Sequence, residues 1–409
     1  MSARPHVVVL HRWRDAYAHY DRYLDHDEYA VSYVTTDVGA AGVPPVAVAV
    51  ALVDATDDVE QVDARIRELA ARLGRPAAVV ALKEDDLLAA AVLGQRWGCP
   101  GRTPQELTPF RDKLIMARRV AAAGLPVPAT APAPDPAAVR AHAARHGWPV
   151  VLKPRLGSSS AGVRLVADPD GAARVGHDPG RLVQAYHPDP IHHVDGVFDG
   201  HALGPWRVSA YLDTCLAFRD GRPLGSVEQD DPVVRDTVGA FTLRVLRALT
   251  DRPTVFHLEL FLGRADDGSP RCTFLEVGAR FGGAEIPFVW RDVHGYDLAA
   301  AAFALALGHP PPPPPPPRPE VAGWLLLPAP ARRPCRITEA TSMIGRDPGP
   351  YAEVVPRVGD VLPAADAYYE HVGARYRFRG SGSAAVHAAV VATARDARVS
   401  AATDLAGVR

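Results

Sequence analysis

VFHLELFLG (255–263) and, after a turn, TFLEVGARFGG (273–283) decide how this chain is read, because each sets a carboxylate inside a hydrophobic strand. Side chains alternate along a strand, so Phe256, Leu258, Leu260 and Leu262 line one face while His257 and Glu259 share the other. In the second strand Glu276, Gly278 and Arg280 fall on one face. A lone buried carboxylate is costly. Two of them on facing strands, with an arginine four residues past the second, point to bound metal and phosphate in preference to a buried Glu–Arg pair in an ordinary hairpin. His257 is placed either to orient Glu259 or to fill the core.

Upstream, Lys153 ends the run VVLK and is followed by LGSSSAG (156–162). Consecutive N–H groups in a small-residue turn form an anion-binding concavity, and a lysine beside it adds a point charge. The turn is not a Walker loop, since neither GKS nor GKT occurs in it. Between the turn and the two carboxylate strands lie RLVQAY (181–186) and the cluster His192, His193 and Asp195. Adjacent strand residues point to opposite faces, so the two histidines do not chelate one ion together, and one of them is expected to line a substrate pocket. Arg207, in GPWRVSAY, offers a bidentate fork for a substrate carboxylate or a surface ion pair.

The 409 residues are 47% hydrophobic, enough for several subdomains with real cores, and the net charge of −2 gives no field for nucleic acid or anionic membrane. Cys99, Cys215, Cys272 and Cys335 are too far apart for a CxxC site and form no disulfide framework, which fits a reducing cytoplasm. MSARPHVVVLHRWRD has only a short apolar run between charges, so no signal peptide is expected, and no stretch is long enough to cross a membrane.

Strand-like runs at 6–11, 29–36, 46–53 and 77–82 alternate with helical patterns such as 59–74, predicting a mainly parallel α/β unit. No GxGxxG follows the first strand, so a dinucleotide site is not expected there. One helix is predicted from about Thr108 to Ala123, followed by a short helix at 137–147, a strand–turn–strand over 148–166, and helices at 236–249 and 295–308. Eight prolines at 310–317 make a rigid spacer of roughly 25 Å or, as the alternative, an SH3-type ligand. Short strands near 353–362 and 375–380 and a helix over 383–399 follow.

The order FRDKLIMARRVAAAGLPVP, VVLKPRLGSSSAGV, LVQAY, HHVDG, HLELF, FLEVGARFGG resembles the ATP-grasp superfamily, in particular its carboxylate–amine ligases of the amino-acid ligase type, over roughly residues 80–309. The resemblance implies an α/β ATP-grasp fold: an N-terminal Rossmann-like α/β domain (1–105), an entry helix with a small α+β lid (106–190) and a central α+β metal-binding subdomain (191–309). The polyproline spacer (310–319) and a β-rich C-terminal module (320–409) complete it. It further implies that Lys113 and Lys153 reach the ATP phosphates beneath a flap containing Gly157, Ser158, Ser159, Ser160 and Gly162. Gln184, Ala185 and Tyr186 match the adenine-reading hinge, and Asp189 is the candidate for the ribose. Glu259 and Glu276 match the Mg²⁺ ligands, and Arg280 matches the arginine that steadies the transferred phosphoryl group.

The family's metal strand reads Glu-x-Asn-x-Arg, whereas Gly278 stands here in place of the asparagine, leaving water or Glu285 to fill the coordination. Gly282 and Gly283, with His192, His193, Arg207 and Glu285, are the candidate substrate residues. The implied activity is ATP-dependent amide formation between a small carboxylate and an amine through an acyl phosphate, with a homodimer as a candidate assembly. A biotin-carboxylase-like carboxylase and a catalytically inactive nucleotide-binding regulator, the latter motivated by Gly278, are the alternatives.

Overall fold

A computed structural model of the chain describes residues 4–12, 20–330, 332–363 and 371–402. Parts of the N-terminal reading (1–3 and 13–15) and of the terminal module lie outside them.

The first unit is a parallel sheet in the order β3-β2-β1-β4, formed by β1 (His6–His11), β2 (Ala30–Thr35), β3 (Ala49–Leu52) and β4 (Pro76–Ala81). The helix Val59–Leu73 packs Val62, Ile66 and Leu69 against it, and Asp58 caps its first turn by accepting from Glu60 and Gln61 N–H. The lid is a four-stranded antiparallel sheet of β5 (Thr130–Pro132), β6 (Val150–Pro154), β7 (Arg164–Val166) and β8 (Arg181–Ala185) in the order β5-β8-β6-β7. The helix Pro136–His146 covers it through Val139 and Ala143.

The third sheet carries the site. It contains β9 (Ile191–Phe198), β10 (Leu203–Tyr211), β11 (Leu224–Glu228), β12 (Thr254–Arg264) and β13 (Pro270–Gly278), and then β14 (Val321–Pro328). A small separate sheet holds β15 (Cys335–Ala340), β17 (Val361–Leu362) and β19 (Val399–Ala402), while β16 (Ala352–Val354) and β18 (Val372–Gly380) return to the large one. The large sheet therefore runs β13-β12-β9-β10-β11-β14-β18-β16, and three strands from beyond the proline tract extend it. One face of β12, Phe256, Leu258 and Leu260, is buried with Val238, Val245 and Leu246 of the helix Pro232–Leu249. The prolines lie mostly exposed, tied back where Pro312 C=O accepts from Tyr296 hydroxyl at 3.2 Å.

One predicted element divides in two. Pro104–Arg111 and Lys113–Ala122 are separate helices, broken at Asp112, whose backbone is extended (φ −87°, ψ 103°). The same residue ends the first helix and caps the second by accepting from Leu114 and Ile115 N–H. Its carboxylate also holds Arg155 Nη2 at 2.5 Å, so Lys113 at the new N-terminus is fixed beside the start of the flap.

Candidate active site

Strand register sets the centre of the site. Glu259 of β12 lies directly across from Glu276 of β13, and His257 directly across from Gly278. Tyr211 hydroxyl donates to Glu259 Oε1 at 3.0 Å, and His257 Nε2 lies 3.5 Å from the same oxygen. Lys113 Nζ is 3.9 Å from Glu276 Oε2 and donates to Gly157 C=O at 2.8 Å. Lys153 is buried. Burial and the neighbouring Lys113 push its ammonium pKa down, while Glu276 and Glu259 act in the opposite direction, so both lysines and both glutamates share one electrostatic centre.

Arg280 follows β13 and is held by a residue that the sequence reading did not single out. Its Nε and Nη2 donate to Glu84 Oε2 at 2.9 and 2.5 Å, and its Nη1 donates to Phe281 C=O. Arg111 Nη1 donates to the other Glu84 oxygen at 2.5 Å. Burial opposes the Glu84 charge, yet Arg280 and Arg111 hold its carboxyl below the usual range. The next residue, Asp85, accepts from Ser158 Oγ at 3.0 Å, so the loop after β4 is joined to the flap tip. Ser159 and Ser160 have φ of +53° and +55°, and Arg219 Nη1 donates to Ser160 C=O. Gly162 is required where it stands, because a Cβ there would lie 2.8 Å from Pro154 Cγ and its φ is +71°.

Beneath Glu259 runs a buried chain of hydrogen bonds. Ser226 Oγ and His193 Nε2 are 2.7 Å apart, His193 Nδ1 is 2.6 Å from Asp195 Oδ2, and Asp195 Oδ1 is 2.8 Å from His257 Nδ1. Burial lowers the pKa of His257, but Asp195 and Glu259 outweigh it and raise the value to about 9. Gly282 seals this network: a Cβ would lie 2.4 Å from Asp195 Oδ1. Gly282 and Gly283 line a cavity of about 220 Å³ beside the carboxylates. Its other walls include Tyr211, Phe281, Trp324, Leu326 and Arg375.

Other candidates lie away from this centre. His192 is on the opposite face from His193, in contact with Pro190 C=O, and burial pushes its pKa down to about 4; His193 shares the Glu259 face but is buried between Asp195 and Ser226, so neither histidine lines the cavity, contrary to the expectation from sequence. Glu285 is not placed beside Glu259 and Glu276. It is fully buried, and Arg377 Nε and Arg375 Nη1 donate to its oxygens at 2.6 and 3.4 Å, which commits it to the terminal strands. Arg207 donates to the Trp206 carbonyl and is not among the cavity walls. Gln184 Nε2 donates to Thr130 Oγ1 inside the lid sheet, Ala185 N–H donates to Ala129 C=O, and Tyr186 is exposed. Asp189 lies beyond them, 3.4 Å from Arg271 Nη2.

Glu84, Asp85, Tyr211, Trp324 and Arg375 are the additions the structure makes, and it gives Asp195, read from the sequence only as part of a histidine cluster, its place between His193 and His257. For the first two a signal existed: KEDD directly follows the C-terminal end of a parallel strand, where open α/β sheets place their ligands. Asp195 stands two residues after His193 and so shares its face.

A parallel sheet, a small lid sheet and a large antiparallel sheet carrying the paired carboxylates define the architecture. Solved structures place it more closely. The L-amino acid ligase of Bacillus licheniformis superimposes with a TM-score of 0.74 at 15% identity, covering 98% of this chain and 99% of that one. The biotin carboxylase domain of the Hydrogenobacter thermophilus 2-oxoglutarate carboxylase gives 0.69 at 15% identity, over 98% and 92% of the two chains. N5-carboxyaminoimidazole ribonucleotide synthetase of Thermotoga maritima gives 0.67 at 11%, over 97% and 99%. The chain has the ATP-grasp fold, as its motifs implied.

No protein-family model matches the chain. Local sequence likeness links it to an uncharacterised protein of Sinorhizobium fredii, 36% identical over 27% of this chain and 24% of that protein. Carnosine synthase 1 of Gallus gallus is 32% identical over 38% of this chain and 18% of its own length. The matches thus span a quarter or less of these relatives.

Proposed function

We propose that this protein is an ATP-dependent carboxylate–amine ligase that forms an amide through an acyl phosphate. The observation that carries the reading is the in-register pair Glu259–Glu276, surrounded by Lys113, Lys153 and Arg280 at the mouth of the cavity. Two facing carboxylates are oxygen donors suited to Mg²⁺, and the two lysines suit the phosphates of ATP. Bound there, the metal would neutralise phosphate charge. Lys113 and Lys153 hold the transferred phosphoryl group, and the serine flap excludes water.

The substrate carboxylate oxygen attacks the γ-phosphorus, the bond to the β,γ-bridging oxygen breaks, and ADP leaves. The amine nitrogen then attacks the acyl carbon, Arg280 stabilises the oxyanion, and the carbon–oxygen bond to phosphate breaks. Gln184, Ala185 and Tyr186 with Asp189 are assigned to adenosine, and the cavity to the substrates. Likeness to carnosine synthase and to the L-amino acid ligase supports an amino acid as one of them.

The test is to incubate the protein with ATP, Mg²⁺ and pooled amino acids and to read nucleotides and products by mass spectrometry. ADP, phosphate and a mass equal to two substrates less water are expected; AMP as the nucleotide product would refute the acyl phosphate. The likeness to a biotin carboxylase domain favours one second reading, which ADP release dependent on bicarbonate and biotin would establish instead.

A further inference from the structure

We infer that His257 is itself a ligand of the catalytic metal, standing in for the asparagine that Gly278 lacks, and that the centre consequently prefers Mn²⁺ to Mg²⁺. The inference rests on the ligase reading only in placing a divalent metal at Glu259 and Glu276. The register carries it: His257 is the residue directly opposite Gly278, so their side chains leave the same face of the sheet at the same level. A side chain at 278 is not excluded by crowding at its Cβ. A Cβ on Gly278 meets nothing nearer than Arg280 Cγ at 3.4 Å.

The imidazole is built as a ligand is built. Metal-bound histidines characteristically give their second ring nitrogen to a carboxylate, which fixes the ring and aims the free nitrogen. His257 Nδ1 is 2.8 Å from Asp195 Oδ1, and its Nε2 faces Glu259 Oε1 at 3.5 Å on the cavity wall. Asp195 is in turn held by His193, and His193 by Ser226, so the orienting carboxylate is fixed from behind. Nothing in a sheet core requires a polar chain of this length. Its open end is the His257 nitrogen beside the metal carboxylate.

Replacing an amide oxygen by an imidazole nitrogen changes the selectivity. Mg²⁺ takes oxygen ligands and keeps its waters, whereas nitrogen donors favour the later divalent ions, and Mn²⁺ accepts both kinds. The proposed donor set is one nitrogen and two carboxylates.

The probe is Mn²⁺ alone with the full-length protein, read by electron spin echo modulation and by competition with Mg²⁺. Modulation from a ¹⁴N nucleus on bound Mn²⁺, converted to the ¹⁵N pattern when histidine is ¹⁵N-labelled, is the expected result and needs no variant. His257→Gln should abolish it and weaken Mn²⁺ binding by about tenfold or more. Adding Gly278→Asn to that variant should move the preference back toward Mg²⁺. Bound Mn²⁺ without histidine modulation, or no bound Mn²⁺, overturns the assignment. Neither readout consumes ATP, so a protein that binds Mn²⁺ through His257 yet makes no amide would sink the ligase reading and leave this one standing.

Discussion

Arg280 does two jobs that a variant separates. Its guanidinium neutralises Glu84 through two hydrogen bonds, and in the proposed reaction it stabilises charge that exists only after ATP is bound. Arg280→Ala should therefore lower kcat by about a hundredfold or more while changing ATP affinity little, measured by single turnover and by nucleotide titration. Glu84→Gln removes the negative partner of Arg280 and one of the two carboxylates of Arg111, which keeps Asp85, and an unpaired buried charge of this kind costs about 3 kcal/mol, visible as a lower urea midpoint. Glu259, Glu276 and Lys153 were legible in the sequence because a charged residue inside an apolar run is rare enough to need a cause. Glu84 was not, since three consecutive acids after a strand read equally well as a solvated turn. The ion pairs that make it part of the site come from residues 27 and 196 positions away.

At the scale of elements, period and apolar spacing located the parallel strands, the lid strands and the two carboxylate strands, but not β10, β11 or the helices Leu87–Trp97 and Ile286–His294. They missed the break at Asp112, because the apolar positions on either side continue without interruption; only the capping geometry of one aspartate, shared with Arg155, divides the helix. Asp112→Ala should cost about 1–2 kcal/mol through the lost cap and should also weaken nucleotide binding by releasing Lys113, checked by denaturation and titration together. The β9–β10 pair has its own weak point. At Gly196 a Cβ would lie 2.5 Å from Pro205 C=O and 2.9 Å from Trp206 Cα, both backbone atoms. Gly196→Ala should then destabilise the protein by about 1–3 kcal/mol and displace Asp195, one residue away, from His257. Which of His192 and His193 shares the Glu259 face was not decidable from composition. The pairing of His193 with Glu259 decides it, although His193 is buried beneath that face and does not line the cavity.

For the molecule as a whole, buried histidines shape how stability varies with pH. His192 has its pKa depressed from 6.5 to about 4, so between those values the unfolded chain binds a proton that the folded chain refuses, and stability falls as the pH is lowered through that window. The shift corresponds to about 3 kcal/mol, and His192→Leu should flatten the slope of unfolding free energy between pH 6.5 and 4.5. In the metal-free protein His257 acts on the other side. Its raised value means that its contribution is fully present below pH 6.5 and is lost as the pH rises through about 9. The sequence also separated residues 320–409 from the central unit at the proline tract, since a run of eight prolines looks like a boundary. Sheet pairing is invisible to composition: β14 hydrogen-bonds to β11 across that tract, with Leu224 opposite Leu326.

That pairing bears on the order in which the protein comes into being. Trp324, Leu326 and Arg375, which wall the cavity, emerge from the ribosome after Lys113, Lys153, Glu259, Glu276 and Arg280. A nascent chain that has reached the proline run already contains every group assigned to the nucleotide and most of the cavity walls, but not Trp324, Leu326, Val372 or Arg375. The cavity thus lacks that one side until the strands beyond the tract are synthesised.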